Sequence, residues 1–192
     1  MWKKFLPLVL IFNSAYAARP MTEMQGDCSD YQLDLKSELT LWAESTFELR
    51  AGLTADSAGP LELAKRSTVT LDLESQLRKV VTPEKPSAKG SFAGIIRFRP
   101  QVKGNYRVAA GSRLWIELVS AKTRKKIESN DFEMQTKCQT ISKVVLYPLE
   151  AGENYWLQIT GSDRRKVDLL VMEERPKATP PINTESSPQP NP

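Results

Sequence analysis

From residue 31 onward the chain alternates apolar and polar side chains in short runs. Tyr31, Leu33 and Leu35 are separated by Gln32 and Asp34 and followed by Lys36, and a period of two predicts a half-buried strand. Leu39 and Leu41 extend a similar pattern, Phe47 and Leu49 lead to Ala51-Gly52, and ADSAGP (55–60) reads as a turn. Leu61 and Leu63 suggest a short strand, and Val69, Leu71 and Leu73 alternate with Thr68, Thr70 and Asp72. TPEKPSAKG (82–90) is a proline-containing connection. Phe92, Ile96 and Phe98 then share one face around Gly94, Arg97 and Arg99 take the other, and Pro100 ends the run. Further strands are predicted at Tyr106-Val108-Ala110, Leu114-Ile116-Leu118, Val145-Tyr147-Leu149, Tyr155-Leu157-Ile159 and Val167-Leu169-Val171. Helix signals are weak, and ESQLRKV (74–80) carries the strongest. About eight to ten short strands, punctuated by Gly, Pro, Asn or basic turns, predict an all-β fold: an antiparallel, jelly-roll-like β-sandwich over residues 31–172.

Both ends read differently. MWKK is a short basic segment, FLPLVLIF (5–12) an apolar one, and Ala15 and Ala17 give the small-x-small pattern of a signal-peptide cleavage site after Ala17. The apolar run is shorter than the roughly 20 residues a membrane-spanning helix needs, and Ala18 stands where a lipoprotein would carry Cys. The expectation is a signal peptide at 1–17, a leader at 18–30 and a soluble exported chain with no membrane insertion after cleavage, periplasmic or secreted. From Glu173 the sequence EERPKATPPINTESSPQPNP is too poor in apolar side chains to offset the entropy of ordering, and 173–192 reads as a disordered Pro-rich tail.

Composition narrows the chemistry. The net charge of +4 falls to +2 once Lys3 and Lys4 leave with the signal, a pattern that does not suggest nucleic acid. Cys28 and Cys138 are the two cysteines, and an even count in an exported chain reads as a disulfide. Histidine is absent, which removes Ser-His-Asp and Cys-His catalysis, the two-His-one-carboxylate iron site and the usual catalytic zinc sets. No Ser-x-x-Lys occurs. Asp27, Asp30 and Asp34 lack the Gly and closing Glu of a calcium loop. Neither metal nor cofactor is expected.

Binding is what remains. KGNYRVAAG (103–111) and AGENYWLQITG (151–161) echo each other around an Asn-Tyr pair. Alternation puts Tyr106 and Tyr155 on apolar faces, with ring buried and hydroxyl bonded near the rim. Trp156 falls on the opposite face with Gln158 and Thr160, and Trp115 shares a face with Glu117. An outward indole beside polar groups can stack on a sugar or a partner unless loops cover that face, so Trp156 and Trp115 are candidate ligand contacts, with Arg97 and Arg99 extending the surface. Two basic clusters fall between strands. Lys122, Arg124, Lys125 and Lys126 form one, and Arg164, Arg165 and Lys166 the other. Such tips are ordinarily solvated and otherwise suit an anionic polymer, lipid head groups or an acidic partner.

Residues 90–119, GSFAGIIRFRPQVKGNYRVAAGSRLWIELV, resemble a family of exported proteobacterial β-sandwich proteins, in which Gly-hydrophobic-hydrophobic-Arg-Phe precedes G-x-Y-R-V and W-I-[DE]-hydrophobic-V. KCQTISKVVLYPLEAGENYWLQITG downstream and Cys28 with Tyr31, Leu33 and Leu35 fit the same pattern, so the likeness spans roughly residues 26–172. At the level of fold the chain is also similar to pre-peptidase C-terminal type sandwiches, where a Gly-x-Tyr strand recurs. Members of the first family are sometimes labelled homogentisate dioxygenase, a chemistry whose iron requires histidines this chain lacks. The leading expectation is a non-catalytic periplasmic binding or accessory module for a glycan or another envelope component. The alternatives are an envelope protein–protein adaptor, using an edge strand or the tail, and a histidine-free glycan hydrolase with two facing carboxylates.

Overall fold

The computed structural model describes residues 24–174. The expected signal peptide, the start of the expected leader and the expected tail beyond Glu174 lie outside them. The described chain carries twelve strands and one short helix. In order these are a 3-10 turn (Cys28–Asp30), α1 (Lys36–Trp42), β1 (Phe47–Arg50), β2 (Gly59–Pro60), β3 (Ser67–Thr70), β4 (Asp72–Leu73) and a second 3-10 turn (Glu74–Gln76). Then follow β5 (Phe92–Phe98), β6 (Gly104–Ala110), β7 (Trp115–Ser120), β8 (Lys126–Ile127), β9 (Asp131–Met134), β10 (Lys143–Leu149), β11 (Tyr155–Ser162) and β12 (Lys166–Glu173).

Two sheets form a sandwich. The first runs β1-β3-β12-β6-β10-β9, the second β2-β5-β11-β7-β8 with β4 on β5. The all-β sandwich is as the alternation predicts, but the sheets are mixed rather than wholly antiparallel. β1 pairs parallel with β3, and β2 with β5. The inner faces hold the main core, built from Tyr106, Val108, Val145, Tyr147, Leu169 and Val171 against Ile96, Phe98, Ile116, Leu118, Leu157 and Ile159. The two echo tyrosines are both 2% exposed, and each keeps its hydroxyl bonded: Tyr106 donates to the Val102 carbonyl at 3.1 Å, and Tyr155 accepts from the Glu150 amide at 3.0 Å. Tyr155 also stacks on Phe98, with ring centres 6.1 Å apart. Gly94 has room for no side chain, since a Cβ there would lie 2.3 Å from that of Ala51.

The outer faces are covered as well, and here the structure corrects the sequence reading. Residues 31–35 are not a strand, and Leu39 and Leu41 lie in α1. Leu35, Glu38 and Trp42 are the buried positions, a helical spacing of three and four that overrides the apparent alternation. This arm packs on the outside of the first sheet, where Leu35 and Trp42 join Ala109, Val144, Leu146, Leu170 and Met172 in a second apolar cluster. Arg107 pins it. Its guanidinium donates to the Asp34 carbonyl at 2.8 Å and to Glu38 Oε1 at 2.9 Å, and from the other side to Glu174 Oε1 at 2.8 Å. Glu173 therefore ends β12, and Glu174 is still held by the domain. Gly111 sits under the arm, where a Cβ would lie 2.9 Å from the Trp42 ring. Residues 74–80 give a single 3-10 turn rather than a longer helix, and the stretch to Ser91 lies over the second sheet.

Cys28 and Cys138 form the predicted disulfide, tying the start of this arm to the segment after β9. It is compatible with an oxidising, extracytoplasmic compartment. The bridge spans 110 residues, for which chain entropy gives about 4–5 kcal/mol. Reduction is expected to lower the thermal midpoint clearly, with a loss of that order in denaturant unfolding. Equal midpoints with and without reductant would show the bridge to be idle.

Candidate functional site

The outer face of the second sheet carries Arg97 from β5, Trp115 and Glu117 from β7, and Trp156, Gln158 and Thr160 from β11, because residues directly paired across antiparallel strands share a face. Trp156 pairs with Arg97 on one side and Val119 on the other; Gln158 pairs with Glu117, and Thr160 with Trp115. The alternation therefore places these side chains as predicted. It does not show what lies over them.

Residues 74–91 cover the half around Gln158. The Gln158 side chain accepts from the Val80 and Val81 amides at 2.7 and 3.3 Å and donates to the Val81 carbonyl at 2.8 Å. Glu74 fastens both ends of the segment, accepting from Ser87 Oγ (2.9 Å), Ser91 Oγ (3.0 Å), the Gly161 amide (2.9 Å) and Lys79 (2.9 Å). Burial alone would raise the Glu74 carboxyl, but these donors outweigh it and hold it below the usual range. Gln158, Thr160 and Glu117 are fully buried.

Trp115 borders this covered half and, like Trp156, is half-buried, with its indole nitrogen enclosed. Its ring lies 5.2 Å from Lys85 Nζ and 4.8 Å from Lys143 Nζ, and the Lys143 ammonium also sits 5.9 Å from the Phe132 ring. Burial raises the Glu117 carboxyl, while Gln158, Trp115 and Lys143 pull the other way. The Trp115 N–H leans toward that carboxylate without completing a hydrogen bond. Glu74 and Glu117 thus sit near one another with acidities pushed apart, as in an acid–base pair. A sugar would have to displace residues 77–91 to reach them. Lys143 was not singled out from the sequence, although its signal was present: it stands in phase with the inward-facing Val145, Tyr147 and Leu149.

Trp156 lies beyond the cover and is only half-buried. Arg97 is exposed beside it, and the Arg124 guanidinium stacks 5.4 Å from its ring centre. Arg124 reaches it because the β7–β8 turn meets the β10–β11 turn, where the Ala121 amide donates to the Asn154 carbonyl at 3.0 Å. Arg124 adopts φ +56°, a left-handed conformation that favours Gly or Asn and costs an arginine on the order of 1–2 kcal/mol. Arg99 borders the same corner at Gly152, and Lys122 pairs with Glu153 at 3.7 Å. The first basic tip is therefore brought to Trp156, except that Lys125 is exposed and Lys126 is drawn into ion pairs with Glu84 and Glu128. The second tip is not. Arg164, Arg165 and Lys166 follow the far end of β11, about 20 Å along the strand, where Arg165 faces Asp72 and Lys166 pairs with Glu48. Trp115 stands four residues from the level of Trp156, about 13 Å away, and does not join its surface.

Among the described residues no three Cys, Asp or Glu side chains converge as a metal site would require. No protein-family model matches the sequence, and no curated protein does so.

The Lys143 ammonium is pulled down from its ordinary 10.5 to about 8, first by burial and further by Lys85, with Glu117 opposing. A lysine depressed in the folded state penalises folding below its folded value, and the penalty fades as pH rises from about 8 to about 10.5, where the unfolded chain also loses its proton. A gap of this size corresponds to roughly 3 kcal/mol. Lys143→Met is expected to be more stable than the wild-type protein at pH 7, with that advantage shrinking by pH 10.5. Denaturant midpoints at the two pH values check this, and an advantage independent of pH would show that Lys143 does not titrate in this range.

Proposed function

We propose that this is a non-catalytic binding module of the bacterial envelope, periplasmic once residues 1–17 are removed as a signal peptide, that engages an envelope glycan through the face around Trp156. The observation that carries this reading is the half-buried indole with Arg97 on one flank and Arg124 stacked on it. An indole supplies a flat apolar surface for a sugar ring, and two cations beside it favour an acidic one. Arg124 supports the same reading, since a solvated turn would be easier to build with Gly at φ +56°. The likeness of residues 26–172 to exported sandwich proteins points to the same compartment, as does the disulfide.

A second reading is an envelope adaptor that adds a partner's strand at β1. That strand is one edge of the first sheet, and its Phe47 is 45% exposed with Lys65 over the ring.

The two readings separate by mutation. Trp156→Ala is expected to weaken binding of an acidic oligosaccharide, such as an oligouronate, by about tenfold or more in calorimetric titration. Arg124→Gly is expected to weaken it while changing stability by no more than about 1 kcal/mol. Full affinity in Trp156→Ala would remove this face from the glycan reading. Loss of partner recovery on Phe47→Asp, with Trp156→Ala unaffected, would favour the adaptor.

A further inference from the structure

The far end of the sandwich carries a cleft of about 680 Å³ between the β6–β7 turn, the segment before β10 and the β11–β12 turn. We propose that it binds a small acidic sugar, a monosaccharide bearing a carboxylate or phosphate. This site is separate from the Trp156 face and does not rest on that reading.

Two arginines are among the residues lining the cleft, Arg113 and Arg164. Neither makes an ion pair with any described residue, unlike Lys166 and Asp168 in the smaller adjoining cleft, which are held by Glu48 and by Thr68. An unpaired arginine fork matches the planar oxygens of a carboxylate or phosphate. The turn under Arg164 is built to hold it: the Ser162 hydroxyl accepts from the Arg164 amide at 3.1 Å and donates to its carbonyl at 2.8 Å. Ser112, 8% exposed, is another lining residue, and its buried hydroxyl has no hydrogen-bond partner among the described residues.

The remaining lining argues for a sugar rather than a bare ion. Asp163 contributes a carboxylate, which repels a simple anion but accepts from hydroxyl groups, and Gln139 can donate and accept. Met24 and Met134 supply apolar surface for the face of a ring. The volume lies within the range of small-molecule sites, about 300–1,000 Å³. The second basic tip read from the sequence thus acquires a specific place: Arg164 is one of two anion contacts, and Arg113 is the partner that sequence reading missed.

Amide NMR titration of the full mature chain tests this, using glucose 1-phosphate, glucuronate, glucose and inorganic phosphate. Saturable shifts at Gly111, Ser112 and Arg164 are expected with at least one of the two acidic sugars, with glucose and phosphate at least about tenfold weaker. Arg113→Gln and Arg164→Gln are each expected to weaken the acidic sugar about tenfold while leaving the remaining spectrum native. No saturable shift from either acidic sugar, or affinities unchanged in both variants, would overturn the proposal. Equal affinity for inorganic phosphate would reduce the cleft to an anion contact and overturn the sugar assignment. Shifts confined to the Trp156 indole would place binding on the other face and likewise overturn it.

Discussion

A sandwich whose strands carry apolar side chains on both faces has to be covered twice, and this constraint shapes the rest of the molecule. Ala109, Val144, Leu146 and Leu170 on the outside of the first sheet are as buried as the residues between the sheets. The chain supplies both covers from its own connections. Besides its apolar contacts, each is held by a polar side chain projecting from the sheet. Arg107 takes a backbone carbonyl and two carboxylates on one side, and Gln158 takes two amides and a carbonyl on the other. Buried groups of this kind are expensive to leave unpaired, so each cover has a strongly preferred seat.

The two echo motifs show how local sequence and tertiary setting divide the work. Tyr106 and Tyr155 occupy matching inward places, as their shared pattern requires. Arg107 and Trp156 then occupy matching outward places on different sheets. Arg107 lies mostly beneath the N-terminal arm, its side chain 13% exposed, whereas Trp156 lies just past the edge of residues 74–91 and keeps part of its ring in solvent. The same strand position is tied into ion pairs in one sheet and left partly open in the other, where the cover stops short of it.

This also explains what could be read in advance. β5, β6, β7, β10, β11 and β12 were legible because each is long enough, at six to eight residues, for alternation to stand out. β2, β4 and β8 have two residues each and carry no period. α1 was misread because leucines two apart imitate a strand over so short a helix, while its true buried face includes a glutamate that only Arg107 makes tolerable. The outward direction of Trp156, Trp115 and Arg97 was legible from parity. The cover beside Trp115 was not, since Gln158 grips backbone amides and those leave no mark in the identity of Val80 or Val81. The end cleft joins residues 113, 139 and 163–164 by topology alone.

The place of β12 has a consequence for the order in which the molecule can be made. It is the last strand among the described residues, yet it sits between β3 and β6 and, among them, is the element joining β1-β3 to β6-β10-β9. Until residues 166–173 arrive, the first sheet remains two separate pieces with open edges, and the Glu174 half of the Arg107 clamp is missing. A chain threaded through a membrane from its N-terminus would therefore stay incomplete through almost the whole passage. It could close only when β12 emerged on the far side, and until then would stay slack enough to pass a pore.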